Sequence, residues 1–495
     1  MHFRTNAEAR SYWPLFPFLL TLFVLLTMAS WPILFAFDLW VLYDRGSLLN
    51  VDYLWSSGLR PGVDTFYSYG LLPLALQHLV FAFGRGYLPM IACTVIAMVA
   101  MALIWAVLLR PLPRSTTWLV AIVCVTPMLL WVNPNFPYTL ALLSTLTALA
   151  LVMEDRLDLA LAACAVGCWS VPSLPLALAG MVTILIVTRW AAGSERSVGA
   201  LAKALAPGAV SYLVIGVVMV LTFGWQSAAA TALPFQGAKF YAAKGYGMSN
   251  IVEFLSPGGL GLTKYLFTRS GWWILSSALL LALAAYSGIR MLRARSFDSV
   301  GCVVMLFAAL HVLFVFVAPG STQQHVIYDP LLAGGVLIGL GSLAGTHLRK
   351  VLLAVFVILA VTGSGEQVRD TWRAWRDQTA SPDMAGLYST RQMQDEWKAI
   401  VALSAAHPLL MLTYGTGIHH YFPTIQSPQI WFLEVGQQLP SDKDRILAQM
   451  RATDIVVTAH NDIVESIDPR LHAELLTMQP IKQGPLFDIW QHRTR

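Results

Sequence analysis

The stretch "FAFDLWVLYDRGSLLNVDYLWSSGLRPGVDTFYSYGLLPLAL", residues 35–76, gathers Asp38, Asp44, Asp52 and Asp64 in a chain that is otherwise poor in charge. A carboxylate within hydrogen-bond reach of a hydroxyl can remove its proton and act as a general base. A second group of chemically capable residues lies in "PFQGAKFYAAKGYGMSN" (234–250) and "GLTKYLFTRSGWW" (261–273), which carry Lys239, Lys244, Lys264 and Arg269. Lysine is a compact point charge and arginine a planar fork, and both suit a phosphate group. The loop "APGSTQQHVIYDP" (318–330) adds His325, a hydrogen-bond donor for an anion, and Tyr328.

Each of these residues also has an ordinary reading. Asp38 can mark a membrane boundary, Asp44 can pair with Arg45 or Arg60, and Asp52 fits a helix face. Asp64 follows the Pro-Gly turn signal "RPGV" and can cap that turn. The four cations can serve as interfacial anchors that extend toward head groups. His325 is a lone interfacial histidine, and Asn133 and Asn135 in "WVNPNFPY" suit a turn between helices as well as a sugar hydroxyl.

The elements that must position these side chains are membrane helices. Of the 495 residues, 57% are hydrophobic and 12% charged, and the mean hydropathy is +0.62, far from soluble composition. The formal charge of +5 comes from short basic groups between apolar runs, with no stripe that would grip nucleic acid. All five cysteines lie in apolar segments, so no disulfide framework is expected.

A helix needs roughly 20 apolar residues to cross the hydrocarbon. Apolar windows at 12–37, 87–109, 116–133, 138–153, 206–224, 272–289, 299–317, 327–345 and 351–365 are the candidate spans. The stretch 157–189 is interrupted by Ser170, Pro172 and Pro175 and divides into two short passes, giving about eleven spans. The run 71–84, "LLPLALQHLVFAFG", is too short to span and reads as an interfacial helix. With the N-terminus inside, the basic clusters at Arg110 and Arg114, Arg156, Arg189 to Lys203, Arg290 to Arg295, and Arg349 and Lys350 fall on the cytoplasmic side. Residues 38–86 and 225–271 then form two outer loops, and 366–495 also faces outward.

This last region has no spanning run. A helical pattern at 391–406 precedes "PLLMLTYG", another at 441–450 precedes "TDIVVTAH", and a polar helix at 463–477 leads to "LFDIWQ". Helices alternating with short apolar strands predict a small α/β layer domain. The expected fold is mainly α, with a polytopic membrane module over residues 1–365 and an extracytoplasmic soluble α/β domain over 366–495. Gly335 and Gly339 form a GxxxG that lets helices approach closely.

The run "YDRGSLLNVDYLWSSGLRPGVDTFYSYGLLPL", after one N-terminal span and before a short interfacial helix, resembles the first outer loop of GT-C membrane glycosyltransferases, which include the protein mannosyltransferases and the aminoarabinose transferases. In the resemblance Asp44 takes the place of the first-loop acid, Gly58 that of the glycine, Arg60 to Asp64 the turn, and Leu71 to Leu74 the Pro-Leu helix start. Many relatives carry an acidic pair at the first place, whereas Asp44 precedes Arg45, which keeps Asp38 as a second candidate. The resemblance implies transfer of a sugar from a polyprenyl-phosphate donor, in a bacterial inner membrane, to an outward-facing glycolipid, glycan or protein. It leaves a divalent cation open as cofactor. In this reading Asp44, Asp64 and Asp38 are the catalytic candidates. Arg60, Lys239, Lys244, Lys264, Arg269, His325 and Tyr328 are the candidates for binding the donor phosphate.

A multi-span transporter or flippase is the competing class. Such proteins often carry internal repeats and mid-bilayer ionisable groups, whereas here the spans are nearly free of charge and polar residues concentrate outside them. A non-catalytic scaffold would leave the acidic loop without a role. "TYGTGIHHYFP" (413–423) places His419 and His420 side by side, a poor metal pair on a regular element and better suited to acceptor binding or to covering a site.

Overall fold

In the computed structural model, residues 15–37, 39–84, 87–109, 136–192, 197–232, 261, 264–265, 268–294, 298–317, 329–343, 346–413, 416–431, 433, 436–459 and 464–493 are described. Lipid offers no hydrogen bonds to a backbone, so an isolated apolar run must satisfy its own as a helix. The apolar windows that fall on described residues are all helical; the window 116–133 lies outside them. The chain begins with α1 (Leu15–Ala29), the short α2 (Trp31–Leu34), α3 (Leu39–Ser56), α4 (Leu71–Phe81) and α5 (Tyr87–Leu108). It continues through α6 (Phe136–Met153), α7 (Leu157–Cys168), α8 (Ser173–Ala192), α9 (Val198–Phe223) and the short α10 (Trp225–Thr231). Then follow α11 (Arg269–Ala294), α12 (Ser299–Val317), α13 (Asp329–Gly341), α14 (Thr346–Gly363) and α15 (Gly365–Asp377). Among the described residues, five helices are long and apolar enough to cross a membrane by length and composition.

Helix ends depart from the hydropathy windows where polar caps extend them. The Ser197 hydroxyl accepts the Ala200 N–H at 3.1 Å, so α9 starts ahead of the predicted 206 and carries Lys203 within it. The Thr268 hydroxyl accepts the Gly271 N–H at 3.2 Å and starts α11 at Arg269. The segment "VRDTWRAWRDQ" enters α15, an amphipathic helix separated from α14 only by Ser364.

Close packing in the bundle depends on small residues. A Cβ added at Gly334 would meet the Trp105 ring at 2.3 Å, and one at Gly335 would lie 2.8 Å from Leu280 and Phe307. At Gly339 it would lie 2.9 Å from Leu283. The GxxxG of α13 therefore seats this helix against α11 and α12, as such spacing does in lipid. Cys164, Cys168 and Cys302 are free thiols buried in the bundle.

The break between α7 and α8 has a second use. Pro172 cannot donate a backbone hydrogen bond, and the carbonyls of Trp169 and Ser170 accept the N–H groups of Leu72 at 3.1 Å and Gly70 at 2.6 Å. The start of α4 is thereby fastened to the interrupted helix. A Cβ at Gly70 would stand 2.0 Å from the Trp169 carbonyl oxygen, so only glycine permits the approach.

Beyond α15 the chain forms the α/β region. Its hairpin pairs β1 (Gln378–Ala380) with β2 (Tyr388–Thr390), antiparallel. A five-stranded sheet follows, built from β3 (Leu409–Leu412), β4 (Ile425–Gln426), β5 (Ile455–Ala459), β6 (Gln479–Gln483) and β7 (Phe487–Gln491) in the order β4-β3-β5-β7-β6. β4, β3 and β5 are parallel, while β7 and β6 run antiparallel to their neighbours. The helices α16 (Arg391–Ala406), α17 (Pro440–Ala452), α18 (Val464–Ile467) and α19 (Pro469–Thr477) alternate with these strands. The polar segment predicted at 463–477 is two helices, because Asp468 caps a new start at Pro469 through the Arg470 N–H.

Strand alternation explains the two cores. Leu409, Met411, Ile455 and Val457 pack with Trp397 and Ile400 on one face, whereas Leu410, Leu412 and Val456 pack with Ile446 and Met450 on the other. The first core also takes in Phe37, Leu48, Leu49 and Phe81. The chain after α2 pairs with β2 as well: the Phe37 N–H donates to the Tyr388 carbonyl at 2.6 Å, and the Tyr388 N–H returns a bond to Phe35 at 2.8 Å.

Gly335→Leu should destabilise the bundle by about 1–3 kcal/mol through overpacking. Thermal melting of the purified protein in detergent checks this, and an unchanged midpoint would refute the close approach of α13.

Candidate active site

The acidic loop divides into a helix, a turn and a second helix. α3 carries Asp44 on its second turn and Asp52 eight residues later, a rise of about 12 Å along the axis. The Asp44 side chain and all of Asp38 lie outside the described residues. Asp52 is buried, and its Oδ1 lies 2.6 Å from Nδ1 of His78 on α4. With Nδ1–H donating to this carboxylate, the imidazole is fixed in orientation. Trp55 lies edge-on to the His78 ring with centroids 4.5 Å apart. This acid–histidine pair joins α3 to α4, and ordinary helix-face placement gave no sign of it in the sequence. The signal available was His78 itself, a titratable residue within the apolar run of α4.

The turn from Ser57 to Gly70 is held by an ion pair. Arg60 Nε and Nη2 donate to the two oxygens of Asp64 at 2.7 and 2.8 Å, and the Arg60 N–H donates to the same carboxylate at 2.9 Å. This bonding holds the Asp64 carboxyl below the usual carboxylate range. Asp64 is therefore a clamp on Arg60 and a weak base. Gly58 and Gly62, at φ +91° and +78°, supply the left-handed positions that the turn requires. Arg60 Nη1 also donates to Gln226 at the start of the second predicted outer loop.

The other wall comes from the α/β region. The Phe66 N–H donates to Asp442 Oδ2 at 3.0 Å, across 376 residues of sequence. Asp442 is buried at the start of α17, where it also accepts the Leu439 N–H at 2.7 Å and pairs with Arg445. Burial pushes its carboxyl pKa up, opposed by the two N–H donors and the arginine. The Ser441 hydroxyl donates to the Asp64 carbonyl at 3.3 Å. Trp431 is buried against Phe66, Tyr67 and Tyr69, with centroids 5.7, 5.1 and 4.9 Å away. Asn50 donates to the carbonyls of Pro428 and Ile430, and His420 Nε2 donates to the Leu49 carbonyl at 3.2 Å. His419 lies against Tyr53 at 4.5 Å, so the described residues 416–423 cover one side of α3.

The candidate cations are reached in part. Lys264 is exposed in a short helical turn, and Arg269 is the first residue of α11. Gly363, the last residue of α14, lies against Trp272 near that same helix start, and the chain passes from it directly into α15 and the α/β region. Arg269 and the docked acidic loop consequently occupy one end of the bundle. Lys239, Lys244, His325, Tyr328, Asn133 and Asn135 lie outside the described residues. Among the described residues, no group of three or more His, Cys, Asp or Glu side chains is arranged to hold a metal ion.

No family model matches the chain, and no curated protein matches it. Among solved structures, the chain is similar to ArnT from Cupriavidus metallidurans in the apo state, with a TM-score of 0.52 at 13% identity over 95% of this chain and 97% of that one. The same ArnT bound to undecaprenyl phosphate gives 0.49 at 12% identity with the same coverage. The likeness to the apo structure shows a shared fold along nearly the whole chain, and ArnT is an aminoarabinose transferase of the GT-C type.

Asp442→Ala should leave the N–H groups of Phe66 and Leu439 without their acceptor, at about 1–3 kcal/mol for each buried orphan. Faster limited proteolysis between residues 57 and 70 is the expected readout; a wild-type cleavage pattern would refute the link. The Arg60–Asp64 clamp has a pH signature because the Asp64 pKa is lowered on folding. Its contribution is present above the ordinary carboxylate value of about 4 and is lost as pH falls through the lower folded value. Protease susceptibility of the turn should thus stay flat down to about pH 4 and rise below it, a rise that Asp64→Asn should abolish.

Proposed function

We propose that this integral membrane protein, which carries the fold of the GT-C transferase ArnT, moves a sugar from a polyprenyl-phosphate-linked donor to an acceptor on the extracytoplasmic face. The supporting observation is convergence: the acidic loop, the start of the second loop and the α/β region meet at one end of the bundle through Arg60–Gln226 and Phe66–Asp442. Sugar transfer from a lipid phosphate needs a base for the acceptor, positive charge for the departing phosphate and an apolar place for the lipid.

In this reading Asp44 is the base. Asp52 and Asp64 are already bonded to His78 and Arg60, and Asp38 is the second candidate. Lys264 and Arg269, with Lys239 and Lys244 from the same loop, supply charge to the phosphate, and His325 and Tyr328 are candidates for further contacts. The acceptor is a glycolipid, a cell-envelope glycan or a protein, and the α/β region over residues 366–495 covers the site from the aqueous side. The N-terminus lies in the cytoplasm of a bacterial cell whose inner membrane holds the chain, as the basic clusters predict.

The test uses proteoliposomes and a panel of undecaprenyl-phosphate-linked sugars, following release of the lipid phosphate. Asp44→Asn should slow transfer about 10²- to 10⁴-fold, the range for loss of a general base, with folded protein retained in the membrane. Full activity in both Asp44→Asn and Asp38→Asn would remove the mechanism.

A further inference from the structure

We propose that the crevice between α7, α8 and α9, whose charged mouth lies at the end of the bundle remote from the acidic loop, is a binding site for a phospholipid with a phosphoethanolamine head group. Two cavities lie along the same three helices. One, of about 630 Å³, is lined by Asp155, Asp158, Arg189, Trp190 and Lys203 together with apolar neighbours. The other, of about 450 Å³, is lined by Leu161, Leu176, Thr183, Leu205, Ala209 and Tyr212 among others and is almost wholly apolar.

Helical spacing makes them one site. On α7, Asp158 of the first cavity is followed by Leu161, Ala165 and Cys168 of the second, at intervals of three and four residues. On α8, Trp190 and Ile186 lead back to Thr183, Ala179 and Leu176, and on α9, Leu201 leads to Leu205, Ala209 and Tyr212. A charged mouth thus opens into an apolar channel. From Asp158 to Cys168 the channel runs about 15 Å at the helical rise, which is half of the roughly 30 Å hydrocarbon core and therefore the depth of one leaflet.

The charges of the mouth select the head group. Arg189 and Asp155 pair with each other and cancel. Asp158 and Lys203 take part in no ion pair among the described residues, which leaves one carboxylate and one ammonium facing a common space. An anionic head would satisfy Lys203 and repel Asp158. A phosphoethanolamine satisfies both, its phosphate toward Lys203 and its primary ammonium toward Asp158. A choline head carries no N–H to donate to the carboxylate. The Trp190 ring, fixed by its Nε1–H bond to the Ser197 carbonyl at 3.1 Å, walls the mouth at the level where indoles favour the lipid interface. The charged mouth lies at the opposite end of α7 from Trp169 and Ser170, which touch the acidic loop, and the apolar end of the channel closes at Cys168 and Pro172 beside them.

The full-length protein in mild detergent, incubated with equal amounts of phosphatidylethanolamine, phosphatidylglycerol and phosphatidylcholine of identical acyl chains, tests the assignment by native mass spectrometry. Wild type should retain phosphatidylethanolamine over the other two by about tenfold, the discrimination expected of a charge-assisted hydrogen bond. Asp158→Asn should erase this preference, whereas Lys203→Gln, which removes the partner of the phosphate common to all three lipids, and Ala179→Trp, which fills the channel, should each reduce retention of all three. Equal retention by wild type, a preference for phosphatidylglycerol or phosphatidylcholine, or a preference that survives Asp158→Asn would overturn the proposal. The wild-type competition decides the matter even where a variant fails to fold.

Discussion

The constraint on which the structure depends is the treatment of backbone polar groups where a membrane helix is interrupted. Unsatisfied carbonyls inside an apolar bundle cost several kcal/mol each, and the interruption between α7 and α8 meets this cost by accepting the N–H groups of Gly70 and Leu72. The start of α4 is thus tied to the bundle. Because α4 holds α3 through His78 and Asp52, the acidic loop is anchored from below. From above, the α/β region shares its apolar core with Phe37, Leu48 and Leu49 and fixes the turn through Asp442. The loop is clamped between two bodies, which is how residues on a connecting segment acquire the fixed geometry that chemistry needs.

Much of this was legible in the sequence. The bundle helices follow from runs of apolar residues, and the helix–strand alternation from 391 to 491 follows from patterns such as "TDIVVTAH", whose alternate residues Ile455 and Val457 face one core and Val456 the other. The hairpin β1–β2, the two-residue β4 and the fully exposed β6, "QPIKQ", were not legible. They are too short or too polar to show a period and exist because a neighbouring strand pairs with them. Helix starts at Val198 and Arg269 were missed because hydropathy does not register a Ser or Thr cap.

The site was legible as a region and less so as a set of partners. Asp44 and Asp64 could be placed on a helix and a turn from local signals. Arg60 was expected as a partner of Asp44 and Asp64 as a turn cap, so the Arg60–Asp64 clamp, like the Asp52–His78 and Asp442–Phe66 contacts, emerged only with the structure. Asp442 looks like an ordinary first-turn acid of α17, and only the fold brings it to the Phe66 N–H. Charge alone does not separate acids that position a loop from acids that react; the bonds each one already makes do so.

The central claim is that the acidic loop, the second loop and the α/β region face the same aqueous compartment while the charged mouth between α7, α8 and α9 faces the other. Single cysteines introduced by Ser57→Cys, Lys264→Cys, Lys482→Cys and Lys203→Cys, in a cysteine-free background, test it with a membrane-impermeant maleimide on intact spheroplasts; all four positions are exposed. The first three should label without permeabilisation and the fourth only after it. Labelling that divides the first three between the two faces of the membrane would contradict the account.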